Sequence, residues 1–220
     1  MTNAAHAETV AIDVDGGTIF GDLHLPAQAI GLVLFAHGSG SSRFSSRNRW
    51  VSTVLERARF GTLLLDLLTS QEEAIDVQTT EYRFDIGRLA RRVVEASEWA
   101  EDREDLAALP IGYFGASTGA AAALIAAAER PDLVRAVVSR GGRPDLAGEA
   151  LPRVQAPTLL IVGGRDESVI DLNNAAMRQM TASVALEIVP GATHLFEEPG
   201  TLTEVARLAV DWFSAHVPKR

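Results

Sequence analysis

Short apolar runs that alternate with longer amphipathic stretches constrain this chain more than any other feature of it. Leu32–Ala36, Thr62–Leu65, Ile111–Phe114, Ala136–Ser139, Thr158–Val162 and Leu186–Val189 are rich in Val, Ile and Leu, and Gly, Pro or polar residues bound each run. Continuous apolar runs of strand length suit strands buried on both faces. Helices are predicted between them, over Arg47–Arg59, Glu81–Glu104, Thr118–Glu129, Ile170–Met180 and Leu202–His216. Thr79 or Thr80 is the expected cap of the second. In that helix Leu89, Val93, Ala96 and Ala100 share one face, and Arg91, Arg92, Glu95 and Glu98 are expected to face solvent. Val10–Val14 and Ile19–Leu25, joined by Asp15-Gly16-Gly17, read as an antiparallel hairpin. The pattern predicts one α/β domain over residues 1–220, a mostly parallel sheet of about eight strands with helices on both faces.

Composition narrows the function. The net charge of −9, with no cluster of Lys and Arg, argues against a nucleic-acid partner. With no cysteine, disulfides, thiolate metal sites and a cysteine nucleophile are excluded together. The first residues carry no basic stretch followed by an apolar run, and Ala120–Ala128 is too short to cross a bilayer. The expectation is a cytoplasmic protein with no membrane partner.

Gly115-Ala116-Ser117-Thr118-Gly119 matches G-x-S-x-G. The pattern alone is common, but here a predicted strand runs into it and a predicted helix runs out. Such a turn lifts a serine hydroxyl clear of the sheet, and its glycines leave room around a strained backbone. The alternative is a structural serine that caps the following helix. A serine nucleophile needs a base, and the base needs a group to hold it. Asp166 follows the strand Thr158–Val162 and His194 follows Leu186–Val189, which gives the chain order Ser, Asp, His of this kind of site. Asp145, in the loop after Ala136–Ser139, is the rival acid. His6 near the start, His24 in the hairpin and His216 in the last helical turn are poorly placed to be the base, and His37 precedes the serine. His37 is read as a brace for its own loop, His37-Gly38-Ser39-Gly40. The Ser39 and Thr118 N–H groups are the expected oxyanion donors.

The His37–Gly40 loop, the 115–119 elbow, Asp166 and His194 together resemble small α/β hydrolases of the dienelactone-hydrolase-like group. The resemblance also rests on the segments 37–43, Asp66-Leu67-Leu68-Thr69, Arg83-Phe84-Asp85-Ile86, 139–146 and 194–200, and runs along nearly the whole chain. It implies an α/β-hydrolase fold and a Ser117–His194–Asp166 triad that cleaves a small ester, lactone or thioester. The namesake enzymes use cysteine where this chain has Ser117. Only Arg140 to Ala156 separates two strands where many such hydrolases insert a lid, so no cap domain is expected. Arg43 and Arg140 could clamp a substrate carboxylate, or could pair with acidic residues to hold long loops. No metal or cofactor is implied. Two rivals differ in class. A dinucleotide site at Gly38-Ser39-Gly40 fails at Arg43, where a third glycine belongs, and a non-catalytic binding module could keep the same fold.

Overall fold

A computed structural model describes residues 5–217; residues 1–4, which carry part of the leader reading, and 218–220 lie outside it. The element order is β1 (His6–Val14), β2 (Gly17–Leu25), β3 (Gly31–Ala36), α1 (Ser46–Arg57), β4 (Phe60–Leu65), α2 (Ser70–Thr79), α3 (Ile86–Asp102), β5 (Ile111–Ala116) and α4 (Thr118–Glu129). It continues with β6 (Val134–Arg140), a 3₁₀ helix (Pro144–Arg153), β7 (Thr158–Gly163), α5 (Glu167–Met177), β8 (Val184–Val189) and α6 (Thr201–His216). Eight strands form one sheet in the order β1-β2-β4-β3-β5-β6-β7-β8. β2 runs antiparallel to β1 and β4, and all other pairs are parallel.

The continuous apolar runs are explained by cover on both sides. β3, β4, β5 and β7 are buried along their whole length. In β3, Leu32, Leu34 and Ala36 join the core beneath α3 and α4, while Val33 and Phe35 join the core beneath α1 and α6. This is the two-residue alternation of a strand whose faces are both covered. Alanines along α4 are fully buried, and their small size seats the helix closely on the strands. The connection from β6 to β7 holds the short 3₁₀ helix and no larger insertion. Among the described residues no helix is long and apolar enough to cross a membrane.

One predicted helix is two. The stretch expected as Glu81–Glu104 begins at Ile86, with Asp85 accepting from Arg88 N–H at 3.0 Å as its cap. Thr80 is not an N-cap: it ends α2 in the left-handed region, at φ 58°. The turn between α2 and α3 is pinned by Asp76, whose carboxylate accepts from the Tyr82 and Arg83 N–H groups at 2.8 and 2.9 Å and from Arg83 Nε at 2.7 Å. Arg92, expected in solvent, is buried and donates to Glu72 and Glu95, each at 3.0 Å. α5 starts at Glu167 rather than Ile170, directly after Asp166.

Candidate active site

Ser117 joins β5 to α4 with φ 51° and ψ −121°. A non-glycine residue in that region costs about 1–3 kcal/mol, so its surroundings must hold it there. They do so through the backbone: Ser117 N–H donates to Arg140 O at 3.3 Å, and Ser117 O accepts from Arg143 N–H and Ala120 N–H, both at 3.1 Å. The two glycines of the motif are required by contact. A Cβ on Gly115 would collide with Ala120 Cα, and one on Gly119 with the carbonyl oxygens of Ala36 and His37. Gly119→Ala is therefore expected to destabilise the protein. Overpacking against backbone costs about 1–3 kcal/mol and outweighs the gain of about 1 kcal/mol from helix propensity. A lower urea midpoint at unchanged m-value checks this. Ser117 occupies the N-cap position of α4, yet its side chain makes no capping bond. The alternative of a helix-capping serine is thereby removed, and the hydroxyl is left for other work.

Asp166 stands at the corresponding position before α5 and makes no capping bond either. Its Oδ2 lies 2.6 Å from His194 Nδ1. A carboxylate only accepts, so the proton sits on Nδ1 and leaves Nε2 as the acceptor a base requires. The loops carrying the pair are joined by Gly164 N–H donating to Val189 O at 2.8 Å and Arg165 N–H to Ala192 O at 2.9 Å. A Cβ on Gly163 would run into the Ala192 and Thr193 carbonyls, which accounts for a glycine there. Asp145, the rival acid, is held in a two-pronged pair by Arg143 at 2.8 and 2.9 Å.

The end of β6 adjoins both the serine and the histidine. Arg140 O receives the Ser117 N–H. A Cβ on the next residue, Gly141, would lie 3.6 Å from His194 Cε1. Among the described residues no hydrogen bond links Ser117 Oγ to His194, a contact that in such sites commonly closes only around substrate.

His37 braces its loop. Its Nε2 accepts from Leu67 N–H at 3.2 Å, so Nδ1, 2.9 Å from Gly38 O, is the donor and the ring is neutral. Burial lowers its pKa further below the ordinary histidine value, against the raising effect of the Gly38 carbonyl. Ser39, expected as an oxyanion donor, has a partner within the protein. Its N–H is already committed to Thr118 Oγ1 at 3.0 Å, and the two hydroxyls lie 2.9 Å apart. The Thr118 side chain was not anticipated; it follows from a hydroxyl residue in the first turn of α4, opposite a loop of small residues. The Thr118 N–H, at the first helical position, has no intrahelical acceptor.

The two candidate arginines divide. Arg43 holds Asp66 and Asp22 and lies over the ring of Phe44, so it braces loops. Arg140 is buried and, among the described residues, reaches only Asn48 Oδ1, at 3.3 Å. A cavity of about 400 Å³ opens on the same loops, with Phe20, Phe44 and Leu68 on its apolar side and Arg43, Asp66 and Glu73 on its polar side. Among the described residues no cluster of three His, Asp or Glu side chains is arranged to hold a metal ion.

Known proteins share this fold. A crystal structure of dienelactone hydrolase from Anabaena variabilis is 56% identical, covers 97% of this chain and 99% of its own, and superposes with a TM-score of 0.95. Est1E from Butyrivibrio proteoclasticus, 17% identical, covers 94% of this chain and 99% of its own with a TM-score of 0.75, and so shares the fold. A Mycobacterium tuberculosis protein with a provisional phosphoribosyl transferase name is 57% identical over 199 residues, 90% of this chain. Those residues are 44% of that relative, so the chain spans less than half its length. The model of the dienelactone hydrolase family matches residues 54–216, which include Ser117, Asp166 and His194. With its eight-stranded sheet and the helices on both faces, the chain belongs to the dienelactone hydrolase family of α/β hydrolases.

Proposed function

We propose that the protein is a serine hydrolase that cleaves a small carboxylic ester, lactone or thioester through an acyl-enzyme on Ser117. The observation that carries this is the 2.6 Å contact of Asp166 with His194 Nδ1, beside an elbow that strains Ser117 and leaves its hydroxyl uncapped. In this reading His194 Nε2 takes the hydroxyl proton as Ser117 Oγ bonds to the substrate carbonyl carbon. The same proton passes to the leaving oxygen or sulfur as its bond to that carbon breaks. Water then repeats the sequence and frees the acid. Negative charge on the carbonyl oxygen is met by the Thr118 N–H, and by the Ser39 N–H once the Thr118 hydroxyl turns away from it. The short β6–β7 connection leaves the rim open, which suits small or protruding substrates. A fluorophosphonate probe is expected to label the wild type and not Ser117→Ala. Labelling that survives in the variant would sink the assignment, and an unlabelled wild type would favour a binding module.

A further inference from the structure

Two of the described arginines are buried, Arg92 and Arg140, and Arg92 holds two carboxylates. Arg83, Arg88, Arg92, Arg103 and Arg143 each donate to at least one Asp or Glu. Arg140 breaks the pattern. Its residue is 7% exposed, it meets no carboxylate among the described residues, and its Nε is buried without a partner. Arg47, in the first turn of α1 beside Asn48, is in a similar state. Among the described residues its Nε is also buried and unpartnered, and its terminal nitrogen reaches only Glu197, at 3.4 Å, on a side chain that is itself 65% exposed. Burial, then the charge of Arg47, pulls the pKa of Arg140 down to about 10. The first turn of α1 contains no acidic residue, so its positive end adds to both cations.

A buried cation such as Arg140 needs a counter-charge, and among the described residues the carboxylate paired with its neighbour Arg47 is the exposed Glu197. The place matters too: the Arg140 carbonyl is the acceptor for Ser117 N–H, and Glu197 lies three residues beyond His194. We propose that Arg140 and Arg47, with the amino end of α1, form an anion subsite beside Ser117 that takes a dianionic phosphoryl group of the substrate. With the exposed Glu197 side chain displaced from Arg47, a monoanion would leave one guanidinium uncompensated, whereas a phosphate monoester neutralises both and offers oxygens to two planar forks. The substrate class becomes an ester whose acyl or alcohol part carries a phosphate. That last step rests on the serine-hydrolase reading; the binding site itself does not.

The test uses inorganic phosphate and thermal unfolding, at constant ionic strength set with chloride and at a pH where phosphate is dianionic. The melting temperature of wild type and of Ser117→Ala is expected to rise saturably with phosphate. Arg140→Gln and Arg47→Gln should each remove the rise, and Arg47, partly exposed, can be replaced without emptying the core. Against esters, kcat/KM for a phosphorylated substrate should exceed that for its neutral isostere by about tenfold or more, as one charge-assisted hydrogen bond allows. That ratio should fall toward unity in Arg47→Gln. No saturable rise, a rise that persists in both arginine variants, or an equal rise with acetate overturns the proposal. Phosphate stabilisation lost with the arginines, in a protein the fluorophosphonate does not label, would uphold the subsite and refute the serine chemistry alone.

Discussion

His194→Ala is expected to lower kcat on a short p-nitrophenyl ester by about a million-fold, with little change in KM, because the base acts in the transition state rather than in binding. In the proposed reaction the group removed is the acceptor of the Ser117 proton, and His37 cannot replace it, with Nε2 occupied by Leu67 N–H and Nδ1 by Gly38 O. Residues that work as a unit are strongly non-additive, so Ser117→Ala combined with His194→Ala should be no slower than either alone. Asp166→Asn should cost about ten-thousand-fold, since an amide that donates to Nδ1 would favour the wrong tautomer. Far-ultraviolet circular dichroism confirms folding in each case. A loss below a hundred-fold in His194→Ala would mean that the imidazole beside Asp166 is not the base.

Glu72→Ala should have the largest effect on stability, about 3 kcal/mol, because it takes one of two carboxylates from the buried Arg92, leaving only Glu95, and opens the cap of α2. Arg92 is 2% exposed, and Glu72 Oε1 accepts from it at 3.0 Å and also from Arg88. The other carboxylate oxygen accepts from Thr69 N–H at 2.8 Å and closes the cap of α2. Urea denaturation of Glu72→Ala, and of Glu72→Ala with Arg92→Met, separates the two contributions. The double variant should regain much of the loss, since the buried charge has gone with its partner. Acid should mimic the single substitution. Burial raises the pKa of Glu72, but the Thr69 N–H and the Arg92 and Arg88 cations outweigh it, and the net displacement is downward. A carboxyl whose folded pKa lies below its unfolded one contributes stability above the unfolded value, and that contribution drains as pH falls through the folded one. The wild type should therefore lose stability with falling pH more steeply than Glu72→Ala.

The strands and the site order were legible in the chain because both are written in local residues. Apolar runs such as Thr158–Val162 need only be buried to become strands, and the elbow, Asp166 and His194 each follow one. α2 escaped for a physical reason. Ser70–Thr79 has no apolar face and leaves Ile75 and Val77 exposed. It is held instead by Glu72 reaching arginines of the next helix and Asp76 reaching Arg83 in the turn before it, contacts that hydrophobic periodicity does not register. Its one local mark is Thr69-x-x-Glu72, the sequence form of a reciprocal cap. Ser39 shows the opposite limit. Its place in a small-residue loop was readable, but whether its N–H stands free depends on the Thr118 hydroxyl, a neighbour 79 residues away.

Three helices of this chain begin under a side chain that satisfies a first-turn amide: Ser45 for α1, Thr69 for α2 and Asp85 for α3. The two helices preceded by Ser117 and Asp166 start bare, although serine and aspartate are among the best residues for that duty. Each missing bond forgoes about 1 kcal/mol of helix stability. Under the proposed reaction, evolutionary searches for thermostable variants should thus recover gains almost anywhere on this scaffold except at these two positions, where sturdiness and turnover would draw on the same pair of oxygen atoms.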